Sequence, residues 1–403
     1  MTLVDHESIS TRIAELEPAL IALRRRLHRH PEPSWEEHET SAALVEELQR
    51  AGVDARIAPP GVGVICDIGS HPNSGADPGP IVAIRADIDA LRMIDTKEVE
   101  YRSEVPGVCH ACGHDVHTAA VVGAALALAG HLSNWAEPAR VRLILQPGEE
   151  SVPGGASALT EAGVMEGVRA IFALHCDPSL DVGSIGVSPG PITSAADQIS
   201  IRLKGGGGHT ARPHATADLV HIASRVVVDL SIGLNRLSDP RDGVNLTFGS
   251  IHAGDAPNVI PTEAIILGSL RALGRPSWEA APQIIRNLLA AIVEPLGASW
   301  ELDHRIGAPP IVNDPWAVGA VERSGRAVLG AGAVGPTHQS TGGEDFSWYL
   351  EHAPGAYFRL GVRAPGAPTV DIHAGNFDVD ERSIALGARI LAGAALEALA
   401  GLP

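Results

Sequence analysis

Gly107–Thr118 reads GVCHACGHDVHT, and within it Cys109, His110, Cys112, His114, Asp115 and His117 place six metal-binding or proton-transferring groups in nine positions. Gly113 lets the backbone turn among them. A Cys-x-x-Cys spacing suits half of a zinc ribbon or a redox pair, and each asks for something absent here. The ribbon needs a second pair, but Cys66 and Cys176 stand alone. The redox pair needs an uncluttered thiol, but Gly113, His114 and Asp115 follow Cys112 at once. Metal binding accounts for the stretch best; a buried thiol beside capping histidines is the other reading. Asp115 is an N-cap candidate and Val116–Leu132 a run of helix formers, so Cys112 is expected just before a helix N-terminus, where the thiolate is favoured.

Outward from this stretch, apolar runs end on chemistry. Ile81–Arg85 reads as a strand running into Asp87 and Asp89, Val141–Leu145 as one delivering Glu149 and Glu150, and Ala170–Leu174 as one delivering His175. Late in the chain Ala356–Leu360 is a strand, with His373 after a Pro/Gly loop. Gly61–Gly69 is another, joined to the Ile81 strand by HPNSGADPGP, a flexible loop by composition. Strands alternating with helical segments predict an α/β fold with a mixed sheet and helices on both faces. Ligands in such sheets lie beyond the carboxyl ends of the strands, so these acids and imidazoles are expected to converge. Upstream, Ile9, Ile13, Leu16, Leu20, Leu23 and Leu27 mark an amphipathic helix ending near His30-Pro31, and Ser34 with Glu37 a capping box for a second helix. His28 and His30 are either ligands or helix-end imidazoliums.

A chain of 403 residues exceeds one ordinary core. Gln198–Leu203, Asp218–Leu234, Val244–Ile251, Ala264–Leu273, Ser277–Leu296 and Ser299–His304 read β-α-β-β-α-β, an inserted ferredoxin-like α+β unit. The expected organisation is therefore a catalytic domain from 1–194 and 308–403, interrupted by an insert at 195–307. Thirty basic against 48 acidic residues, a net charge of −18, argue against nucleic acid and anionic membranes as partners. MTLVDHESIS lacks the apolar core of a signal peptide, and no apolar run is read as reaching membrane-spanning length. With four cysteines in no disulfide-like spacing, a cytoplasmic location is expected.

Cys112, His114, Glu150, His175 and His373 are five ligand candidates, more than a closed structural zinc site uses. Five ligands, one able to bridge through sulfur, suit two divalent ions about 3.5–4 Å apart, which acidify water between them. Zinc fits the donors' softness best, with manganese, cobalt or nickel as alternatives. Glu149, beside a ligand, is then placed as general base and acid; a solvated turn is the plainer reading of a Glu pair. GGGGHTARPH (205–214) matches no nucleotide-binding loop and reads either as a mobile loop presenting His209 or as a hairpin. Asn258 and Arg271 are candidates to grip a carboxylate, or else turn and surface residues.

Taken together, HACGHDVH, RADIDALRM, LQPGEE, ALHCDP, GGGGHTARPH, APNVIPTEA, GGEDFSWYL and HAGNFDVDE resemble the co-catalytic metallopeptidase family of aminoacylases, glutamate carboxypeptidase and succinyl-diaminopimelate desuccinylase. More closely, they are similar to its amidohydrolase branch of hippurate and indole-acetyl-amino-acid hydrolases. The resemblance implies a two-metal catalytic domain with an inserted lid that also forms a homodimer, acting on N-acyl amino acids. Cys112, His114, Glu150, His175 and His373 match its metal ligands, Glu149 its general acid/base, and His209, Asn258 and Arg271 its substrate-contacting lid residues. Asp87 matches an acidic position supporting the ligands. Cys109 stands where relatives often have methionine, and Gly343 where they also carry serine or alanine. A dipeptidase or N-acetyl-diaminopimelate deacetylase is the alternative within the family; a metal-storage or thiol redox-sensing protein is the alternative outside it.

Overall fold

Ile81–Asp87 is buried at every position and Gly355–Arg363 at all but its last, as expected of strands covered on both faces. In the computed structural model, which describes residues 4–69, 79–133, 135 and 138–402, these two strands run parallel to Arg140–Gln146 and Val168–Asp181 at the centre of an eight-stranded sheet. Its order is Arg56–Ile57, Val64–Gly69, Arg140–Gln146, Ile81–Asp87, Val168–Asp181, Gly355–Arg363, Ile185–Gly186 and Val334–Gly335. Antiparallel pairing at Val64–Gly69 and at Ile185–Gly186 makes the sheet mixed, as expected. Most of the loop expected at 71–80 lies outside the described residues.

One face of this sheet, through Ile84, Phe172, Leu174, Phe358 and Leu360, packs on helices His6–Arg29, His114–Leu132, Pro315–Leu329 and Arg382–Gly401. Burying each such Leu or Phe contributes about 1.5–3 kcal/mol. The apolar-run reading needs correction here. His114–Leu132 and Arg382–Gly401 are long and apolar enough to cross a membrane by length and composition, with 78% and 67% of their apolar windows buried in the fold. Small residues on all sides let both helices sit inside the core, which requires the same all-round apolarity as a lipid environment.

Two predicted caps are replaced by longer-range contacts. The helix His114–Leu132 is preceded by Gly113, not by a capping Asp115; Gly113 is left-handed at φ 91°, and a Cβ there would lie 2.7 Å from Cys176 Sγ. Helix His38–Arg50 has no capping box from Ser34 and Glu37. The Glu32 carboxylate accepts from Glu39 N–H and Thr40 N–H, while Ser34 Oγ donates to Asp89 and Glu37 accepts from Gly148 N–H. The chain clusters into two units, one comprising the residues up to Gly190, Val312–His338 and Trp348 onward, the other Pro191–Ile311 and Gln339–Ser347.

In the second unit Ala195–Lys204, Asn245–His252, Glu263–Ala272 and Ser299–Ala308 form an antiparallel sheet in which the first strand lies between the third and the fourth and the second is at the edge. Helices Leu219–Leu237 and Arg275–Val293 cover it through Ile222, Val226, Leu230, Ile285 and Leu289, the ferredoxin-like arrangement expected.

Candidate metal centre

The ends of the parallel strands supply the acids. Asp87 closes its strand with Asp89 two residues beyond, Glu149 and Glu150 follow Arg140–Gln146, and His175 lies within Val168–Asp181. The turn before His114–Leu132 adds Cys112 and His114, and His373 joins from a loop in a left-handed conformation at φ 62°. These groups meet. Cys112 Sγ lies 3.4 Å from His175 Nε2, and His373 Nε2 lies 3.1 Å from Glu150 Oε1. His114 Nε2 is 3.9 Å from Glu149 and 4.0 Å from Glu150. Ligand atoms fall within 4.8 Å in the sets Cys112/His114/His175, Cys112/Glu150/His373 and His114/Glu149/Glu150. Cys112 is common to the first two sets.

Hydrogen bonds fix which imidazole nitrogens face this cluster. His175 Nδ1 donates to the Cys176 carbonyl at 2.8 Å and His114 Nδ1 to the Asp89 carbonyl at 2.9 Å, so each turns its Nε2 to the centre. His117 differs. Cys176 N–H donates to its Nε2 at 2.9 Å and its Nδ1 donates to Asp87 at 2.6 Å, which uses both nitrogens. Asp87 accepts also from Arg85 Nη1 at 2.9 Å and sits 3.6 Å from His114 Nε2, the nitrogen turned to the centre.

The rest of the opening stretch faces away from this centre. Asp115 accepts from Arg24 Nε and from His28 Nδ1, both at 2.7 Å, and His28 Nε2 lies 3.2 Å from Asp95. His28 is therefore a buried imidazole in the last turn of its helix, the helix-end position expected, held between two carboxylates. Cys109 accepts from Lys97 Nζ at 3.6 Å, and His110 is sealed with burial pulling its pKa down to about 3. Asp89 carries more than its sequence position suggested, since one carboxylate accepts from Ser34 Oγ and from the Glu150 backbone N–H at 2.9 Å. Its clue in sequence was the Asp-x-Asp spacing at the strand end.

Electrostatics supply the test of fit for a cation. His114 Nε2 is sealed from solvent without a hydrogen-bond partner, facing the carboxylates of Asp87, Glu149 and Glu150. Burial lowers the His114 pKa, yet Asp87 and Asp89 outweigh it and raise it to about 10. Burial, then the charges of Glu150, Glu149 and Asp87, push the Cys112 thiol well up, so the thiolate expected at the helix N-terminus does not form without a counter-charge. Burial holds His175 neutral, its pKa well down. Surplus negative charge, a neutral imidazole and a sulfur shared by two ligand sets form a donor set suited to divalent ions.

A second glycine holds the Glu149–Glu150 turn. Gly155 N–H donates to the Gly148 carbonyl at 3.1 Å, and a Cβ on Gly155 would sit 1.7 Å from the Pro147 carbonyl oxygen. Gly155→Ala is expected to displace both glutamates and weaken divalent-ion affinity on the order of 10- to 100-fold, measured by competition with a chromogenic chelator; unchanged affinity would show the turn to be tolerant.

His209, Asn258 and Arg271 lie in the second unit. His209 ends the two-residue strand Gly208–His209, which pairs with Val259–Ile260, and just beyond it Thr210 N–H donates to the Asn258 carbonyl. Arg271 stands on Glu263–Ala272 opposite Ala196, and a Cβ at Gly343 would lie 2.4 Å from Ala196 Cβ and 3.2 Å from Arg271 Nη1. Glycine at 343 thus leaves that guanidinium its room.

Residues 83–397 match the profile of the peptidase family M20/M25/M40. Over 383 residues the chain is 35% identical to an N-acetyl-L-cysteine deacetylase of Bacillus subtilis (strain 168), covering 94% of this chain and 88% of the relative. A Rhodococcus jostii protein bearing the name glutamate–cysteine ligase 2-3 is 40% identical over 375 residues, 93% of this chain; the chain spans 46% of that relative's length. Among solved structures, the Bacillus subtilis YXEP protein, described as a dinuclear metal binding peptidase, superposes with a TM-score of 0.82 at 31% identity, over 96% of this chain and 99% of that one.

Proposed function

Because the chain belongs to peptidase family M20/M25/M40 and is a hydrolase of that family, we propose that it cleaves the amide bond of N-acyl amino acids, releasing a carboxylic acid and a free amino acid. The observation that carries this reading is the pairing of Glu149 with Glu150 against the sealed Nε2 of His114. One glutamate is a ligand and its neighbour keeps a carboxylate for proton transfer. Cys112, His114, Glu150, His175 and His373 would hold two divalent ions, zinc first by donor softness, supplying Lewis-acid polarisation of the amide carbonyl and an acidified water.

The chain's own residues do the rest. Glu149 takes the proton of the attacking water and returns it to the leaving amine nitrogen. Asp87 and Asp89 hold His114 and the Glu150 backbone in place. In this reading His209 donates to the developing oxyanion, Asn258 and Arg271 hold the amino-acid carboxylate, and the inserted unit also forms a homodimer. The N-acetyl-L-cysteine deacetylase among the relatives supports the substrate class.

The test is a panel of N-acetyl, N-benzoyl and indole-acetyl amino acids, each also with its carboxylate amidated, offered to chelator-stripped protein reloaded with zinc or manganese. Metal-dependent release of free amino acid, lost on amidation, is expected. Cleavage of dipeptides alone would make it a dipeptidase, and inertness with two ions bound would remove amide hydrolysis.

A further inference from the structure

Three arginines are buried among the described residues, Arg24, Arg85 and Arg359, and the fold treats them differently. Arg24 donates to the carboxylates of Asp115, Asp378 and Glu381, and Arg85 to Asp87 and Gln146. Arg359 is 9% exposed, and no carboxylate lies within ion-pair distance of it among the described residues. Its Nε is sealed from solvent without an acceptor. Among the described residues its guanidinium lies over the Tyr357 ring, whose centroid is 5.3 Å from Cζ. An unpaired guanidinium in the interior is costly, and a protein retains one where an anion arrives to meet it.

The location specifies the anion. Arg359 lies on Gly355–Arg363 directly opposite His175 on the parallel neighbour Val168–Asp181, and paired residues of adjacent strands project from the same face. Tyr357, two residues away on that face, has its ring 6.0 Å from the His175 imidazole. Arg359 therefore stands beside the innermost candidate ligand of the metal centre, at the end of the sheet where the substrate of such folds lies. A guanidinium there presents a planar fork, the complement of a carboxylate.

Resting on the hydrolase reading above, we propose that Arg359 binds a substrate carboxylate distinct from the one assigned to Arg271. The preferred substrates are then N-acyl amino acids with a second carboxylate, either on the acyl group or on the amino-acid side chain.

Kinetics on N-acetyl-alanine, N-succinyl-alanine and N-acetyl-glutamate, with wild type, Arg359→Met and Arg359→Lys, test it. Arg359→Met is expected to lower the ratio of kcat/KM for the dicarboxylate over N-acetyl-alanine on the order of 100-fold, and Arg359→Lys to restore part of it. Whichever of N-succinyl-alanine and N-acetyl-glutamate loses its advantage identifies the side that carries the anion. The thermal midpoint of ligand-free Arg359→Met is expected to hold or rise, since an unpaired buried charge is removed. Uniform loss on all three substrates with a lowered midpoint would make Arg359 structural and overturn the proposal, as would unchanged ratios. A binding arm separates this idea from the reaction itself. Calorimetry on metal-loaded protein is expected to show succinate binding at least about 10-fold tighter than acetate, a preference lost in Arg359→Met. If that preference appears while no amide is cleaved, the reaction falls and the carboxylate site stands; if amides are cleaved and the two acids bind alike, the carboxylate site falls.

Discussion

Glu149→Gln is expected to retain bound metal and lose turnover by roughly 10²- to 10⁴-fold, the range removal of a positioned general base produces. The substitution keeps the side chain's shape and removes only its ability to take a proton. Glu149 Oε2 lies 3.9 Å from His114 Nε2, close to the centre, while the contact with His373 belongs to Glu150. Metal content by elemental analysis should therefore match wild type. The loss should fall in kcat with KM little changed, because the proton transfer is made only in the transition state. Glu150→Gln gives the contrasting result, weaker metal retention with activity recovered at higher metal concentration. Turnover by Glu149→Gln within tenfold of wild type would remove Glu149 from the mechanism, and loss of metal in that variant would recast it as a ligand.

Asp115→Ala is expected to destabilise the metal-free protein by about 3–5 kcal/mol, the cost of removing one member of a buried charge pair. The carboxylate is 1% exposed and accepts from both Arg24 Nε and His28 Nδ1 at 2.7 Å. Its removal leaves two cationic groups interior, although Asp378, Glu381 and Asp95 retain partial contact with them. Denaturant unfolding in chelator measures this apart from any effect on metal affinity. His28 adds a pH signature. Burial lowers its pKa, but Asp115 and then the hydrogen bonds to Asp115 and Asp95 prevail and raise it from 6.5 to about 10. A raised folded-state pKa stabilises fully below the unfolded value near 6.5, so wild type should lose this contribution as pH climbs from there through about 10. Asp115→Ala should flatten that alkaline slope; an equally steep slope would place its origin elsewhere.

The convergence of the site was legible from the sequence because it follows from two local facts. Apolar runs become parallel strands, and parallel strands present whatever follows their carboxyl ends to one crevice. Asp87, Glu149, Glu150 and His175 could be read this way, and Cys112 with His114 from their density. The division of labour inside GVCHACGHDVHT could not. His114 and His117 are both helix-face imidazoles three residues apart, and His117 has its two nitrogens engaged by Asp87 and by Cys176 N–H, which arrives from a strand 59 residues later. The capping readings of Ser34, Glu37 and Asp115 failed for a similar reason. Each side chain has a partner distant in sequence, Asp89 for Ser34, the Gly148 N–H for Glu37, and Arg24 with His28 for Asp115.

By itself the sequence determined the strand–helix alternation, the ferredoxin-like insert and the set of groups brought together, since periodicity and strand-end placement are local properties of the chain. Tertiary structure alone decided which nitrogen of each histidine faces the centre, that Asp115 ties Arg24 and His28 rather than capping a helix, and that Arg359 is buried with no carboxylate at ion-pair distance among the described residues. Those outcomes depend on partners tens to hundreds of residues away. Burial is what gives them their weight, because a charge or imidazole sealed from water must take its partner from the fold or from a ligand.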